Sequence, residues 1–427
     1  MSYTLKINKE IGEQYTKLNV HGLDIYLIPK KLSTAYAVLG VDFGSSDTEF
    51  VCDGKNLAVP AGIAHFLEHK MFENEDGTDA FEQFSILGAN ANAFTAASKT
   101  CYMFSCTENF EQSLALLLQV VTRPHFTEES VEKERSIINK EIRMYMDDPY
   151  WKMYFGLLDA MYHNATIRTD PAGTEESIAD ITPGLLYDCH RMFYKGDNMA
   201  LCVCGDVSVD TVERIATEAL EDLPVGIAQR VQADEPETVR IPKTEAFMDV
   251  AVPLFSVGIK CPATEEGRER ILAAAEHEIL LQMVFGKSGR FYNHCYETGL
   301  LGDRFSAGFC SERGTSFVML SGSSPDPQTV YSLACDEIEA CRGEFCSVAE
   351  FERAKKVCYS TALDVYNSTE EIANAFLGFV FDGCDLLDYT SMLRNADYES
   401  VKERFMRDYC IDRTAFSVVY PKEDQNV

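Results

Sequence analysis

Two distant stretches of the chain carry the same order of features, and this repetition constrains the fold more than anything else in the sequence. CYMFSCTENFEQSLALLLQVV…FTEESVEKERSIINKEI can be laid beside FVMLSGSSPDPQTVYSLACDEI…FCSVAEFERAKKVCYSTAL. In each, a strand is followed by a helix, a Phe, a cap-like polar cluster and a Glu-rich helix. The step from Ser105 to Glu134 is 29 residues, and that from Ser321 to Glu352 is 31. Repetition on this scale points to two related α+β domains, each a sheet covered by helices. The length of 427 residues suits two domains. Between the halves, PVGIAQRVQADEPETVRIPKTE lacks apolar periodicity and holds three of the 14 prolines. We therefore expect an N-terminal domain over 1–224, a linker over 225–245 and a C-terminal domain over 246–427.

The first half supplies a definite run of elements. LNVHGLDIYLIPKKLSTAYAVLGVDFGSSD predicts two strands joined by a polar turn, then a Gly/Ser/Asp loop. A helix containing GIAHFLEHKMF begins just after Pro60. A strand at KTCYMFSC and a helix at FEQSLALLLQVV follow. Next comes a long helix whose start has the form of a capping box, Thr127 with Ser130, and Pro149 marks its end or the residue just beyond. DNMALCVCGDV predicts a buried strand and SVDTVERIATEAL a helix. After the linker, MDVAVPLFSVGIK predicts one strand and Glu269 to Phe285 a long apolar helix.

Composition removes several functional classes. The net charge of −30 and pI of about 4.6 would repel phosphate backbones, and no basic stripe compensates, so nucleic acid is not an expected partner. No apolar run reaches membrane-spanning length, and Met1 to Gln14 has no apolar signal core, so a cytoplasmic protein without membrane association is expected. The 15 cysteines lie mostly in apolar stretches, such as Cys202 and Cys204, as reduced core thiols do.

The chemistry concentrates in HFLEH. His65 and His69 are four residues apart on a predicted helix, so both rings project from one face, one turn apart. Two imidazoles so placed can reach a single tetrahedral zinc ion at about 2.0–2.1 Å. Glu68 lies near the same face, where it can accept a proton from the attacking water. A third ligand must come from elsewhere. On the predicted helix from Thr127 to Met146, Glu134 and Glu141 are seven residues apart and share a face; spacing does not choose between them. One would ligate, and the other could hold a ligating His through its second ring nitrogen. The second half has no counterpart of HFLEH, so the chemistry belongs to the first.

HFLEH resembles the inverted zinc motif of the pitrilysin, insulinase and mitochondrial processing peptidase family. The likeness continues in NANAFTAASKTCYMFSC, EKERSIINKEIRMYMDDP, DPAGTEESIADIT and DNMALCVCGDV, and covers about residues 40 to 420. HKMFE, MYMDDPYW, VFGKSG and YETGL resemble the bacterial YmfH-like branch of that family. The resemblance implies two homologous domains with mostly antiparallel sheets and a zinc metalloendopeptidase activity. Zinc would be held by His65, His69 and Glu141, with Glu68 as catalytic base and Glu134 supporting a ligand. Asn92, Ala93 and Phe94 would line the sheet edge, where a peptide substrate adds as an extra strand.

One stretch departs from the family pattern. Where complete members carry an Arg, and a Tyr about seven residues on, HCYETGLLGDRF has Tyr296, then Gly302 or Asp303; Arg290 matches another, structural-looking position. A neutral phenol cannot serve as a cationic clamp. The resemblance implies a dimer enclosing a chamber, and the departure leaves two readings: a zinc-less family subunit supplies the Arg/Tyr pair, which we favour, or the enzyme is slow or selective without it. The alternative is a non-catalytic or partner-dependent subunit of a heteromeric complex.

Overall fold

The computed structural model of the chain describes residues 3–52, 54–75, 77–231, 234–264, 266–302 and 304–422. Its strands are β1 (Thr4–Asn8), β2 (Glu13–Val20), β3 (Leu23–Pro29), β4 (Ala35–Val41), β5 (Glu49–Cys52), β6 (Lys55–Ala58), β7 (Asn90–Thr95), β8 (Thr100–Cys106), β9 (Met199–Gly205), β10 (Lys243–Met248), β11 (Leu254–Cys261), β12 (Ser306–Glu312), β13 (Thr315–Ser323) and β14 (Thr414–Pro421). The first sheet has the order β1-β2-β3-β9-β4-β8-β7 and the second β10-β14-β11-β13-β12, while β5 and β6 form a separate hairpin. In the first sheet β3 and β9 run parallel and the other neighbours antiparallel. In the second, β10 and β14 run parallel and the rest antiparallel. The run β3-β9-β4-β8-β7 thus has the same connectivity and pairing sense as β10-β14-β11-β13-β12. The repetition in the sequence is a repetition of topology, and both sheets are mostly antiparallel.

Helices cover each sheet. In the first half these include α1 (Ile63–Lys70), α2 (Ala80–Ile86), α3 (Phe110–Thr122) and α4 (Glu128–Met146). Their apolar sides join the sheet in one core around Phe66, Leu67, Tyr102, Phe104, Leu117 and Ile138, all essentially buried. The capping box expected at α4 forms: Ser130 N–H donates to Thr127 Oγ1 at 3.1 Å, and Thr127 N–H to Ser130 Oγ at 3.2 Å. Pro149 lies beyond α4 and opens α5 (Pro149–Met161), whose cap Asp148 accepts from Tyr150 and Trp151 N–H.

The chain divides into two compact units, and neither is one continuous segment. The first comprises 1–142, 169–232 and 364–387; the second comprises 143–168, 233–363 and 388–427. A single cut over 225–245 does not describe this division. The helix that follows α4, α5, packs on β10, β11 and β14 of the second unit. The helix Thr369–Val380 follows the repeat counterpart of α4, Val348–Asp364, and packs on β4 and β9 of the first unit. The two repeats exchange the equivalent helix.

The described residues of 225–245 are bonded rather than loose. Val51 N–H donates to Gln229 O at 2.8 Å and Val231 N–H to Glu49 O at 3.0 Å, which lays a third segment beside β5 of the hairpin. Glu235 accepts from the N–H groups of His163, Asn164 and Ala165 at 2.7–2.9 Å and from Lys260 Nζ at 2.6 Å. β10 begins inside the expected linker, at Lys243.

Candidate metal centre

α1 is short, and its placement depends on what holds its ends. Gly62, the residue before it, has φ of 93°, which glycine alone adopts freely. A Cβ there would lie 2.5 Å from Ala172 O, so the segment after α5 closes directly onto the start of the helix. That segment is itself capped: Ser177 N–H donates to Thr174 Oγ1, Thr174 N–H to Ser177 Oγ, and Ser177 Oγ donates to Ala61 O at 2.8 Å. Arg135 on α4 donates to the carbonyls of Ile178 and Ile181. DPAGTEESIADIT therefore anchors both α1 and α4, the two helices that carry the expected ligands.

Within α1, Ile63, Phe66 and Leu67 enter the core, which leaves His65 and His69 on the side facing α4. Their ring centroids are 4.6 Å apart. His65 Nε2 lies 3.7 Å from Glu141 Oε1, and His69 Nε2 lies 3.5 Å from Glu141 Oε2. These gaps are too long for hydrogen bonds. They lie at and slightly above the separation of about 3.3–3.5 Å between ligands of a tetrahedral ion bonded at 2.0–2.1 Å. One ligand atom from each of His65, His69 and Glu141 falls within 4.8 Å of the others, and among the described residues this is the only His/Cys/Asp/Glu group so arranged. Glu134 does not reach this group; its Oε1 lies 3.0 Å from His69 Nδ1. That bond fixes the proton on Nδ1 and leaves Nε2 as a lone-pair donor toward the centre. His65 has no such support among the described residues, where its buried Nδ1 meets no hydrogen-bond partner.

Electrostatics separates the groups. Burial, with a smaller contribution from His69, pushes the His65 imidazole down to about 3, so it is neutral at physiological pH. Burial also works to lower His69, but the hydrogen bond to Glu134 and the charges of Glu68, Glu134 and Glu141 outweigh it and raise the ring above its ordinary value. Glu68, 8 % exposed, is raised by burial, against a hydrogen bond from Thr95 Oγ1 to its Oε2 at 2.7 Å and the nearby His69. The His and Glu residues singled out in the first half thus converge on one site with differentiated protonation states.

Asn92, Ala93 and Phe94 lie on β7, which among the described residues pairs only with β8 and forms the sheet edge nearest α1. Asn92 and Phe94 share the exposed face, with Ala91, Ala93 and Thr95 on the other. The Asn92 carboxamide oxygen accepts from Ala93 N–H at 2.9 Å. Thr95 falls in the NANAFT stretch that carries the family resemblance but received no role from the sequence; its further signal is parity, three positions beyond Asn92 and therefore on the opposite face. In the second unit, Tyr296 is half exposed and stacks on Tyr292, while Arg290 pairs with Glu337 at 3.2 Å. Asp303 lies outside the described residues.

The geometry agrees with what the chain is similar to. Residues 34–175 match the model for insulinase (peptidase family M16), and residues 180–358 match the model for the peptidase M16 inactive domain. The Bacillus subtilis (strain 168) protein named uncharacterized zinc protease YmfH is 39% identical over 412 residues, spanning 94% of this chain and 95% of that protein. The chain belongs to the insulinase family, peptidase family M16. A solved structure of an M16-like peptidase from Alicyclobacillus acidocaldarius superimposes with a TM-score of 0.92 at 29% identity, covering 96% of this chain and 99% of that one. A Helicobacter pylori protease shares the fold, with a TM-score of 0.80 at 18% identity over 96% and 100% of the two chains. The M16 division also accounts for the missing second HFLEH: the half without it matches the model named inactive. Further relatives named zinc proteases include YmxG of Bacillus subtilis, 30% identical over 151 residues, or 34% of this chain.

Proposed function

We propose that this M16 chain is a zinc metalloendopeptidase in which His65, His69 and Glu141 hold the metal and Glu68 is the general base. The observation that carries this is the convergence of two imidazole Nε2 atoms on the two oxygens of Glu141 at 3.5 and 3.7 Å, beside a buried carboxylate. Zinc, when bound, supplies a Lewis acid for the scissile carbonyl and an acidified water. The chain's own residues do the rest. Glu68 takes a proton from the attacking water and returns it to the leaving amine, while Thr95 occupies one of its oxygens and leaves the other for proton transfer. Glu134 keeps His69 in the ligating tautomer. The free edge of β7 can accept an extended peptide, with Asn92, Ala93 and Phe94 beside its backbone.

The substrates proposed are peptides or unfolded segments that enter a chamber formed on dimerisation. Tyr296, where an Arg is expected from the family pattern, favours a partner-dependent version in which a zinc-less family subunit contributes the Arg/Tyr pair. A cytoplasmic site of action accompanies this proposal; no helix of the described residues is long and apolar enough to cross a membrane. Purification from the native source, with mass measurement, zinc analysis and a peptide-digestion screen, tests the whole reading. Stoichiometric zinc with internal peptide cleavage supports it. A second chain needed for turnover supports the partner-dependent version, and a fully active homodimer overturns that version alone. A metal-free, inactive protein in every assembly overturns the enzyme.

A further inference from the structure

Glu68 is held from outside its own helix, and the group that holds it is itself held. Thr95 Oγ1 donates to Glu68 Oε2 at 2.7 Å across the gap between β7 and α1. Thr95 is the last residue of β7, paired with Thr100, and immediately precedes the turn Ala96–Lys99, closed by Ala96 N–H to Lys99 O at 2.8 Å. This turn does not project freely. Ser45 N–H donates to Ala96 O and Ser46 N–H to Ala97 O, both at 2.9 Å, while Thr100 Oγ1 donates to Phe43 O at 2.8 Å. Gly44 is pressed so closely on the turn that a Cβ would lie 2.5 Å from Ala96 O and from Lys99 N.

The loop that grips the turn is fixed in turn. Asp47 is buried; its Oδ2 accepts from Gly44 N–H at 2.9 Å and its Oδ1 from Arg230 Nε at 2.9 Å. Arg230 also pairs with Asp42 at 3.0 Å and lies over the Phe193 ring. Its backbone neighbours Gln229 and Val231 are hydrogen-bonded to the β5 strand. A continuous set of bonded groups therefore runs from Arg230 through Asp47 and the Gly44–Asp47 loop to the β7–β8 turn, Thr95 and Glu68.

We infer that Thr95 is the positioning residue for the general base, and that the Gly44–Asp47 loop, locked by Arg230, is the brace that keeps Thr95 in place. The hydroxyl saturates Glu68 Oε2 and stops rotation of the carboxylate, so Oε1 alone is presented for proton transfer. Because Thr95 ends the strand whose edge is free, a peptide added to β7 would be registered against Glu68 by the same backbone. This rests on the proposed peptidase function, and its test reads the carboxylate directly as well as turnover.

The experiment uses the full-length, zinc-loaded chain with any copurifying subunit and an extended fluorogenic peptide. Thr95→Val removes the hydroxyl at constant shape, Thr95→Ser keeps it, and Gly44→Ala displaces the turn while leaving Thr95 intact. We expect Thr95→Val to bind zinc stoichiometrically and lose about 10- to 100-fold in kcat, with KM changed by less than about twofold. Thr95→Ser should restore most of the loss, and Gly44→Ala should fall in the same direction as Thr95→Val. Crystal structures should show Glu68 in one rotamer in the wild type and Thr95→Ser, and in more than one in Thr95→Val. Given a wild type that cleaves, an unmoved Glu68 or an undiminished kcat in Thr95→Val overturns the inference. If the wild type does not cleave, the functional proposal fails, while released Glu68 rotamers in Thr95→Val still support Thr95 as its support.

Discussion

At the scale of single residues, the proposed function assigns metal binding and proton transfer to different side chains, and this division can be measured. Glu68→Gln keeps the shape of the side chain and should retain zinc while lowering kcat by about 10²- to 10⁴-fold; normal turnover in a zinc-replete variant would remove Glu68 from the mechanism. Glu134→Ala leaves all three proposed ligands but frees the His69 ring, so zinc affinity should fall about 10- to 100-fold in a competition titration with a chelator. Zinc binding should also depend on pH with a definite sign. The raised His69 ring of the metal-free protein carries a proton up to a higher pH than an ordinary imidazole, and that proton must leave before Nε2 can ligate. Affinity should therefore decline as pH falls through the His69 transition, and calorimetric binding enthalpies should differ between buffers of different ionisation enthalpy. His65, pushed down to about 3, adds nothing to this above pH 5. His65, Glu68 and His69 were legible in the sequence because a four-residue step on a helix leaves no freedom about their face. Glu134 and Glu141 were legible only as a pair, since seven residues return to the same face. Which of them meets the imidazoles follows from the seating of α4, which Arg135 sets through carbonyls more than 40 positions away. Thr95 was legible only as part of the NANAFT stretch, and not in the role proposed for it, which depends on a turn gripped by a loop some 50 residues earlier.

Among elements, the helices followed the sequence more closely than the strands. α4 and the helix Arg268–Val284 agree closely with their expected spans, because caps and long apolar faces are local signals. The expected pair of strands between Leu18 and Val41 is instead the end of β2 followed by β3 and β4. The missed turn is His21–Gly22, with φ of 50° and 88°; a histidine in the left-handed region gives no Asn-Gly or Asp-Gly signal. MDVAVPLFSVGIK likewise divides, with β10 ending at Met248 and β11 starting at Leu254. β10 is an edge strand of mixed polarity and shows no apolar run that would mark it in the sequence. Two predictions belong here. Gly62→Ala forces a side chain into left-handed backbone against Ala172 O, and should cost at least about 1–2 kcal/mol in chemical denaturation and weaken zinc binding by shifting α1. His190, in the helix Pro183–Phe193, is pushed down to about 4, chiefly by burial, against a hydrogen bond to Val121 O. Its folded pKa lies below the ordinary value of 6.5. Above pH 6.5 neither state is protonated and nothing is lost. Between 6.5 and about 4 the unfolded chain takes the proton first, so stability should drop by on the order of 3 kcal/mol across that window. His190→Gln should flatten this part of the stability profile; an unchanged slope would assign it to other groups.

For the molecule as a whole, the repetition gave the architecture but not its partition. Two equivalent sheets were expected from matching strand–helix runs, and their pairing orders coincide. The exchange of α5 for the helix Thr369–Val380 left no mark in the sequence, since an amphipathic helix does not state which sheet its apolar face will cover. A protease site placed at residues 225–228, where Val225 and Ile227 are exposed, should therefore yield two fragments that elute together at the intact mass under native conditions. Their separation without denaturant would contradict the exchange. The residue 1–224 fragment expressed alone lacks the helix that covers β4 and β9, and should not reach a cooperative unfolding transition. The same arrangement bears on ancestry. A gene interrupted between the codons of the two traded helices would encode a pair of polypeptides, each retaining a piece its sibling cannot fold without. Such a split would create an obligate heterodimer at once, with no new surface to evolve, whereas deletion of either repeat would ruin the survivor.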